Sequence, residues 1–170
     1  LGFLPSHWLK LRHLSDFDFV NRFTLLNEVN HESLNYGMFI TLSACLMIVS
    51  FDIGSYLFGR RFGKTPLSPI SPGKTIEGVI GGLICSMIVG ACFIGIFQLN
   101  LSFLLGCLLA FLVSVFSLVG DLTESMMKRN AGIKDSGNAL PGHGGILDRI
   151  DSYLFTPAVV YYMIIFIHSF

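Results

Sequence analysis

The sequence predicts an all-α protein, a polytopic transmembrane helix bundle whose cytoplasmic loops carry its chemistry. Three observations lead there. Of the 170 residues, 52% are hydrophobic and 13% charged, whereas a soluble domain is nearer a quarter charged. Four stretches come close to the about 20 mostly apolar residues that cross a bilayer. Most of the basic residues gather in two loops that fall on one side.

The elements follow in order. Residues 1–35 combine the amphipathic "LGFLPSHWLKLRHL" with the polar "NEVNHESLN", which reads as an interfacial or loop segment resting on the bilayer. Trp8 suits the headgroup level, where indole is enriched, or a packed position. Residues 36–170 form the membrane core, with spans at 37–58, 78–97, 101–120 and 152–169. The chain opens on Leu1 and is expected to be the C-terminal part of a longer one. The third span should not stop at Gly120, because "DLTESMMKRN" contains good helix formers and no breaker. A helix over 101–129 would be about 44 Å long and would project beyond the hydrocarbon. Thr156-Pro157 reads as a helix start or a kink.

Between the spans, loop 98–100 is short and uncharged. Loops 59–77 and 121–151 therefore share a side, and they hold eight of the eleven Lys and Arg residues. By the positive-inside rule that side is cytoplasmic. Pro66, Pro69 and Pro72 exclude a long regular helix from the first of these loops. Cys45, Cys85, Cys92 and Cys107 lie in apolar runs without a Cys-x-x-Cys pair, so they read as packing residues.

Several polar groups are candidates for chemistry, each with a plain structural alternative. "GKT" occurs at 63–65 and 73–75, but neither copy completes a P-loop. Loop 59–77 still offers Arg60, Arg61, Lys64 and Lys74 to phosphate, or simply records topology. Asp52 lies inside the first span, where a charge is costly; it is either functional or ion-paired toward Arg60 and Arg61. Asp121, Glu124, Ser125 and Lys128 share one helix face, as a solvated helix end or a polar site. Asp148 and Asp151, three apart on a starting helix, suit a hard cation such as Mg²⁺ or a helix N-terminus. In "PGHGG", Gly142, Gly144 and Gly145 free the backbone around His143. Together these groups meet the needs of phosphoryl transfer to a nucleotide or phospholipid, in which metal and cationic side chains neutralise phosphates.

The stretch 125–151, "SMMKRNAGIKDSGNALPGHGGILDRID", resembles the signature of the phosphatidate cytidylyltransferases, the CDP-diacylglycerol synthases. Every fixed position of S-x-x-K-R-x4-K-D-x5-[PG]-x-H-G-G-x-x-D-R-x-D is matched. "FDIGSYLFGRRFGKTPLSPISPGKTIEG" and "GDLTES" resemble further parts of the same family, and the similarity runs over roughly residues 36–165. Members of that family carry additional spans ahead of this core, which agrees with the expectation of a longer chain.

The resemblance implies transfer of CMP from CTP to phosphatidate, giving CDP-diacylglycerol and pyrophosphate. It implies Mg²⁺ on Asp121, Asp148 and Asp151, with K⁺ as a second ion, and phosphate contacts from Lys128, Arg129, Lys134 and Arg149. Arg60, Ser71 and Lys74 would contribute from the other loop. Ser125, His143, Gly144 and Gly145 would help to form the substrate pocket. The expected partners are CTP, phosphatidate and the bilayer, with a homodimer allowed and no nucleic acid required. The expected location is the cytoplasmic membrane, with the site facing the cytoplasm. Two rival readings are a CTP-dependent polyprenol or phytol kinase and, in another class, an ion channel or transporter built around Asp52.

Overall fold

The computed structural model describes residues 3–12, 36–69, 71–97, 103–133, 136–137, 145 and 150–168. Five helices are present among them: α1 His7–Arg12, α2 Tyr36–Phe62, α3 Ile76–Phe97, α4 Phe103–Asn130 and α5 Ser152–His168. The one β-type pairing among the described residues is an isolated bridge between Pro66 and Thr75. The chain is thus an all-α bundle, as its composition predicts.

Three helices are long and apolar enough to cross a membrane: Gly37–Phe62, Ile76–Phe93 and Phe103–Asn130. The fourth expected span is a shorter apolar helix, Ser152–Phe166. Many large apolar side chains on these helices face outward. Ile80, Ile84 and Ile88 form one such stripe on α3, at a spacing of four. A regular helix satisfies its interior backbone polar groups within itself, as a bilayer requires.

The core joins α1, α2, α4 and α5 through Leu11, Ile40, Met47, Ile48, Leu109, Val113, Val160 and Ile164. Small residues let the helices approach closely, since between helices in lipid packing rather than hydrophobicity supplies the attraction. A Cβ at Gly82 of α3 would meet the Ser55 hydroxyl and the Phe51 carbonyl of α2.

The helix boundaries differ from the sequence-based expectation in two places. First, α2 continues through Arg60 and Arg61 to Phe62, so these two cations stand on a helix and the loop proper is 63–75. Gly59 does not break the helix because its amide and carbonyl remain in the helical pattern; its carbonyl accepts the Gly63 amide at 2.9 Å. Second, Pro157 lies inside α5, five residues after its start at Ser152, rather than opening the helix. Of the two positions the sequence allows Trp8, the structure shows the packed one: it is partly buried against Tyr153 and helps to pack α1 into the bundle.

The helix α4 has 28 residues, about 42 Å at the standard rise, close to the length expected from the sequence. It stops in a Schellman turn. The Gly132 amide donates to Arg129 O at 3.1 Å and the Ile133 amide to Lys128 O at 3.0 Å. Gly132 has φ of 69°, a conformation that glycine adopts without the Cβ penalty.

Candidate functional site

Consecutive long helices alternate in direction, so the end of α2, the start of α3, the end of α4 and the start of α5 meet at one end of the bundle. There they enclose an open cavity of about 450 Å³, lined by Asp52, Tyr56, Arg60, Lys74, Asp121, Asp151 and Ser152 among others. That volume lies in the range of small-molecule sites.

Each charged group arrives from a different element. Asp52, Tyr56 and Arg60 stand four apart on α2, so the helical repeat lines them up along the cavity wall. Arg60 Nη1 donates to the Tyr56 hydroxyl at 3.2 Å. The loop contributes Lys74, whose ammonium forms an ion pair with Asp121 of α4. Burial disfavours the charged form and pulls the Lys74 pKa below the ordinary lysine value of 10.5, while Asp52 and Asp151 oppose that shift.

One turn beyond Asp121 on α4, the buried Glu124 pairs with Lys128 at 3.3 Å. Asp151 is buried immediately before α5 and acts as its cap. Its Oδ1 accepts the Ser152 amide at 2.6 Å, and its carbonyl accepts the Leu154 amide at 3.2 Å. Ser152 lines the cavity together with Asp52. Helices α4 and α5 touch closely here because residue 120 is glycine: a Cβ at Gly120 would run into the Asp151 carbonyl.

Carboxylate oxygens of Asp121, Glu124 and Asp151 lie within 4.8 Å of one another. Like charges this close are unfavourable unless cations compensate them. Lys74 and Lys128 supply part of that compensation. A set of hard oxygen donors beside open space also fits a divalent cation of the Mg²⁺ type.

Of the residues expected from the sequence, Arg60, Lys74, Asp121 and Asp151 line the cavity together. Lys128 joins through Glu124. Ser71 supports Lys74 from the preceding turn, its carbonyl accepting the Lys74 amide at 3.1 Å. Ser125 and Arg129 lie on the same helix end without lining the cavity; Ser125 is half-buried and Arg129 exposed. Gly145 is buried against Ser136 and Gly137. Lys134, His143, Gly144, Asp148 and Arg149 lie outside the described residues.

Three residues of the site carried no assigned role in the sequence reading. The sequence leaves Asp52 either functional or paired toward Arg60 and Arg61; in the bundle it lines the cavity with Lys74, Asp151 and Ser152. Glu124 stands on the face that its i+3 spacing from Asp121 predicts. Tyr56 was detectable only as the middle member of the Asp52–Tyr56–Arg60 row.

The bundle and its cavity define a class, a membrane-embedded helical protein with an acidic and basic site at one end of its spans. Residues 17–167 match the model of the cytidylyltransferase family, and the chain belongs to that family. It is similar to a phosphatidate cytidylyltransferase of Synechocystis, at 44% identity over 96% of this chain and 58% of that protein. Proteins of the same name from Staphylococcus saprophyticus and Bacillus subtilis are 47% and 44% identical. Those matches cover 78% and 76% of this chain, and 50% and 48% of the relatives. The chain thus spans about half the length of the curated relatives it matches. A solved intramembrane enzyme for archaeal membrane lipid biosynthesis shares the fold, with a TM-score of 0.51 and 22% identity. That likeness covers 70% of this chain and 77% of the other.

Proposed function

We propose that this chain carries the catalytic core of an enzyme that transfers CMP from CTP to phosphatidate, forming CDP-diacylglycerol and pyrophosphate. One observation carries the reading: Lys74, Asp121, Glu124 and Asp151 from three separate segments converge beside an open cavity at the polar end of an apolar bundle. The names of the relatives support it, as does the match of residues 125–151 to the family signature.

The chemistry asks little of a general base, because the attacking phosphate of phosphatidate is already anionic. A new bond forms between that oxygen and the α-phosphorus of CTP; the α–β bridging bond breaks and pyrophosphate leaves. The difficulty is to bring two polyanions together in line, which positioning and charge neutralisation address. A divalent cation, Mg²⁺ in this reading with K⁺ as a second ion, would be held by Asp121, Asp148 and Asp151 and would neutralise phosphate charge. Glu124 stands beside this set and orients Lys128. Lys74 and Arg60, which line the same cavity, would contact phosphate oxygens. Phosphatidate reaches the cavity sideways from the cytoplasmic leaflet of the inner membrane, and CTP reaches it from water. The positive-inside distribution supports that orientation.

The test uses the full-length protein in detergent with Mg²⁺, CTP and phosphatidate. Mass spectrometry should find CDP-diacylglycerol and pyrophosphate in equal amounts. Formation of CDP with a newly phosphorylated lipid would contradict the reading.

A further inference from the structure

The loop that presents Lys74 is held shut by a carboxylate that does not line the cavity. Glu77, in the first turn of α3, accepts the Lys64 amide at 3.1 Å, the Thr65 amide at 3.2 Å and the Thr65 hydroxyl at 3.0 Å. Those groups lie at the far end of the loop, just after α2. Two further hydrogen bonds tie its two limbs together, the Leu67 amide donating to Lys74 O at 2.8 Å and the Ile76 amide to Thr65 O at 3.0 Å; together they make the Pro66–Thr75 bridge. At the near end, Thr75 Oγ1 accepts the Gly78 amide at 3.2 Å and caps α3.

Glu77 therefore joins the limb at 64–65 to the helix that follows Lys74. A lysine side chain is a flexible stem with a point charge at its end. Where that charge rests depends on where the backbone holds the Cα. Loop 63–75 contains Pro66, Pro69 and Pro72, which restrict backbone angles but supply no amide donors, so closure falls to the few donors that remain. Two of these, the Lys64 and Thr65 amides, are the ones Glu77 takes.

We infer that Glu77 is a positioning residue, clamping both limbs of loop 63–75 so that the Lys74 ammonium is held against Asp121 and toward the nucleotide phosphates. The clamp stands on geometry alone; its effect on the nucleotide rests on the function proposed above. An acidic residue in a first helical turn also favours the helix dipole. A dipole contribution needs only the charge, whereas the clamp needs acceptor atoms at the right place. Gln keeps a carbonyl oxygen in that place and loses the charge.

The experiment compares Glu77→Ala, Glu77→Gln, Lys74→Ala and the Glu77→Ala/Lys74→Ala double variant of the full-length protein in detergent. Glu77→Ala should lower kcat/KM for CTP by about 10- to 100-fold, the scale of a misplaced binding group. Glu77→Gln should lose clearly less. On the Lys74→Ala background, Glu77→Ala should cost almost nothing more, because the group it positions is already gone. The same fold loss on both backgrounds, or equal damage from Gln and Ala, would overturn the inference. Hydrogen exchange supplies a readout free of catalysis: the Lys64 and Thr65 amides should exchange faster in Glu77→Ala while α2 and α4 stay protected. Unchanged protection would overturn the clamp itself. Loss of protection in a protein that makes no CDP-lipid would uphold the clamp and remove only the functional reading.

Discussion

The indole Nε1 of Trp8 donates to the carbonyl oxygen of Tyr153 at 3.2 Å, the acceptor that Pro157 leaves without its regular helical donor. A proline four residues on removes the amide that would have bonded Tyr153 O, and α1 supplies a replacement across the bundle. An acceptor left unsatisfied in an apolar interior costs about 1–3 kcal/mol. Trp8→Phe should therefore lower the thermal midpoint in detergent. On a Pro157→Ala background, where the helical amide returns, the same change should cost about 1 kcal/mol less. Equal costs on the two backgrounds would show that Trp8 acts by packing alone.

This bond joins parts of the chain that no sequence pattern connects. Trp8 and Tyr153 are 145 residues apart, and no local pattern links an amphipathic N-terminal stretch to a proline in the last helix. What hydropathy encodes was legible: three of the spans, and the long α4 that carries Asp121, Glu124 and Lys128 past the apolar run. Spacing likewise placed Glu124 on the face of Asp121. The role of Asp52 was not legible, because a single charge in an apolar helix does not reveal which neighbours it faces. Gly59 hid the last turn of α2, since glycine lowers helix propensity without forbidding a helix that packing supports.

Gly120 sets the distance between the two helices that bear the carboxylates. A methyl there meets the Asp151 carbonyl, so Gly120→Ala must push α5 away or tilt it. The expected stability cost is about 1–3 kcal/mol, as for other overpacked sites. Activity should fall further than stability explains, because Asp151 moves relative to Asp121. A Gly120→Ala variant with wild-type turnover would show that this spacing is not critical.

The acidic cluster predicts a metal-binding signature separate from turnover. Mn²⁺, which shares the preference for oxygen ligands, should bind the purified protein and be detected by the loss of its free-ion electron paramagnetic resonance signal. Asp121→Asn and Asp151→Asn should each weaken that binding at least about tenfold, because each removes one carboxylate charge from the site. Glu124→Gln should weaken it less and release Lys128, whose ion pair it breaks. Unchanged Mn²⁺ affinity in a folded Asp121→Asn protein would place the metal elsewhere.

Topology is testable with single cysteines in a background where Cys45, Cys85, Cys92 and Cys107 are replaced. Cysteines at Lys64 and Arg129 should both be labelled by a membrane-impermeant reagent from the cytoplasmic face, since Lys64 follows α2 and Arg129 lies in the last turn of α4, at the same end of the bundle. Labelling of the two from opposite faces would contradict the alternating arrangement.

The central claim is that the α-phosphate of CTP, not the γ-phosphate, passes to the lipid. It is tested most directly by running the full-length protein with phosphatidate and CTP labelled in one phosphate at a time. Lys74 and Arg60 line the cavity beside the carboxylate cluster, and in the proposed reaction an anionic lipid phosphate attacks a phosphate chain held there. Attack at the α-phosphorus sends an α-label into CDP-diacylglycerol and a γ-label into pyrophosphate. Recovery of the γ-label in the lipid, with unlabelled CDP released, would make the protein a CTP-dependent kinase and contradict the account.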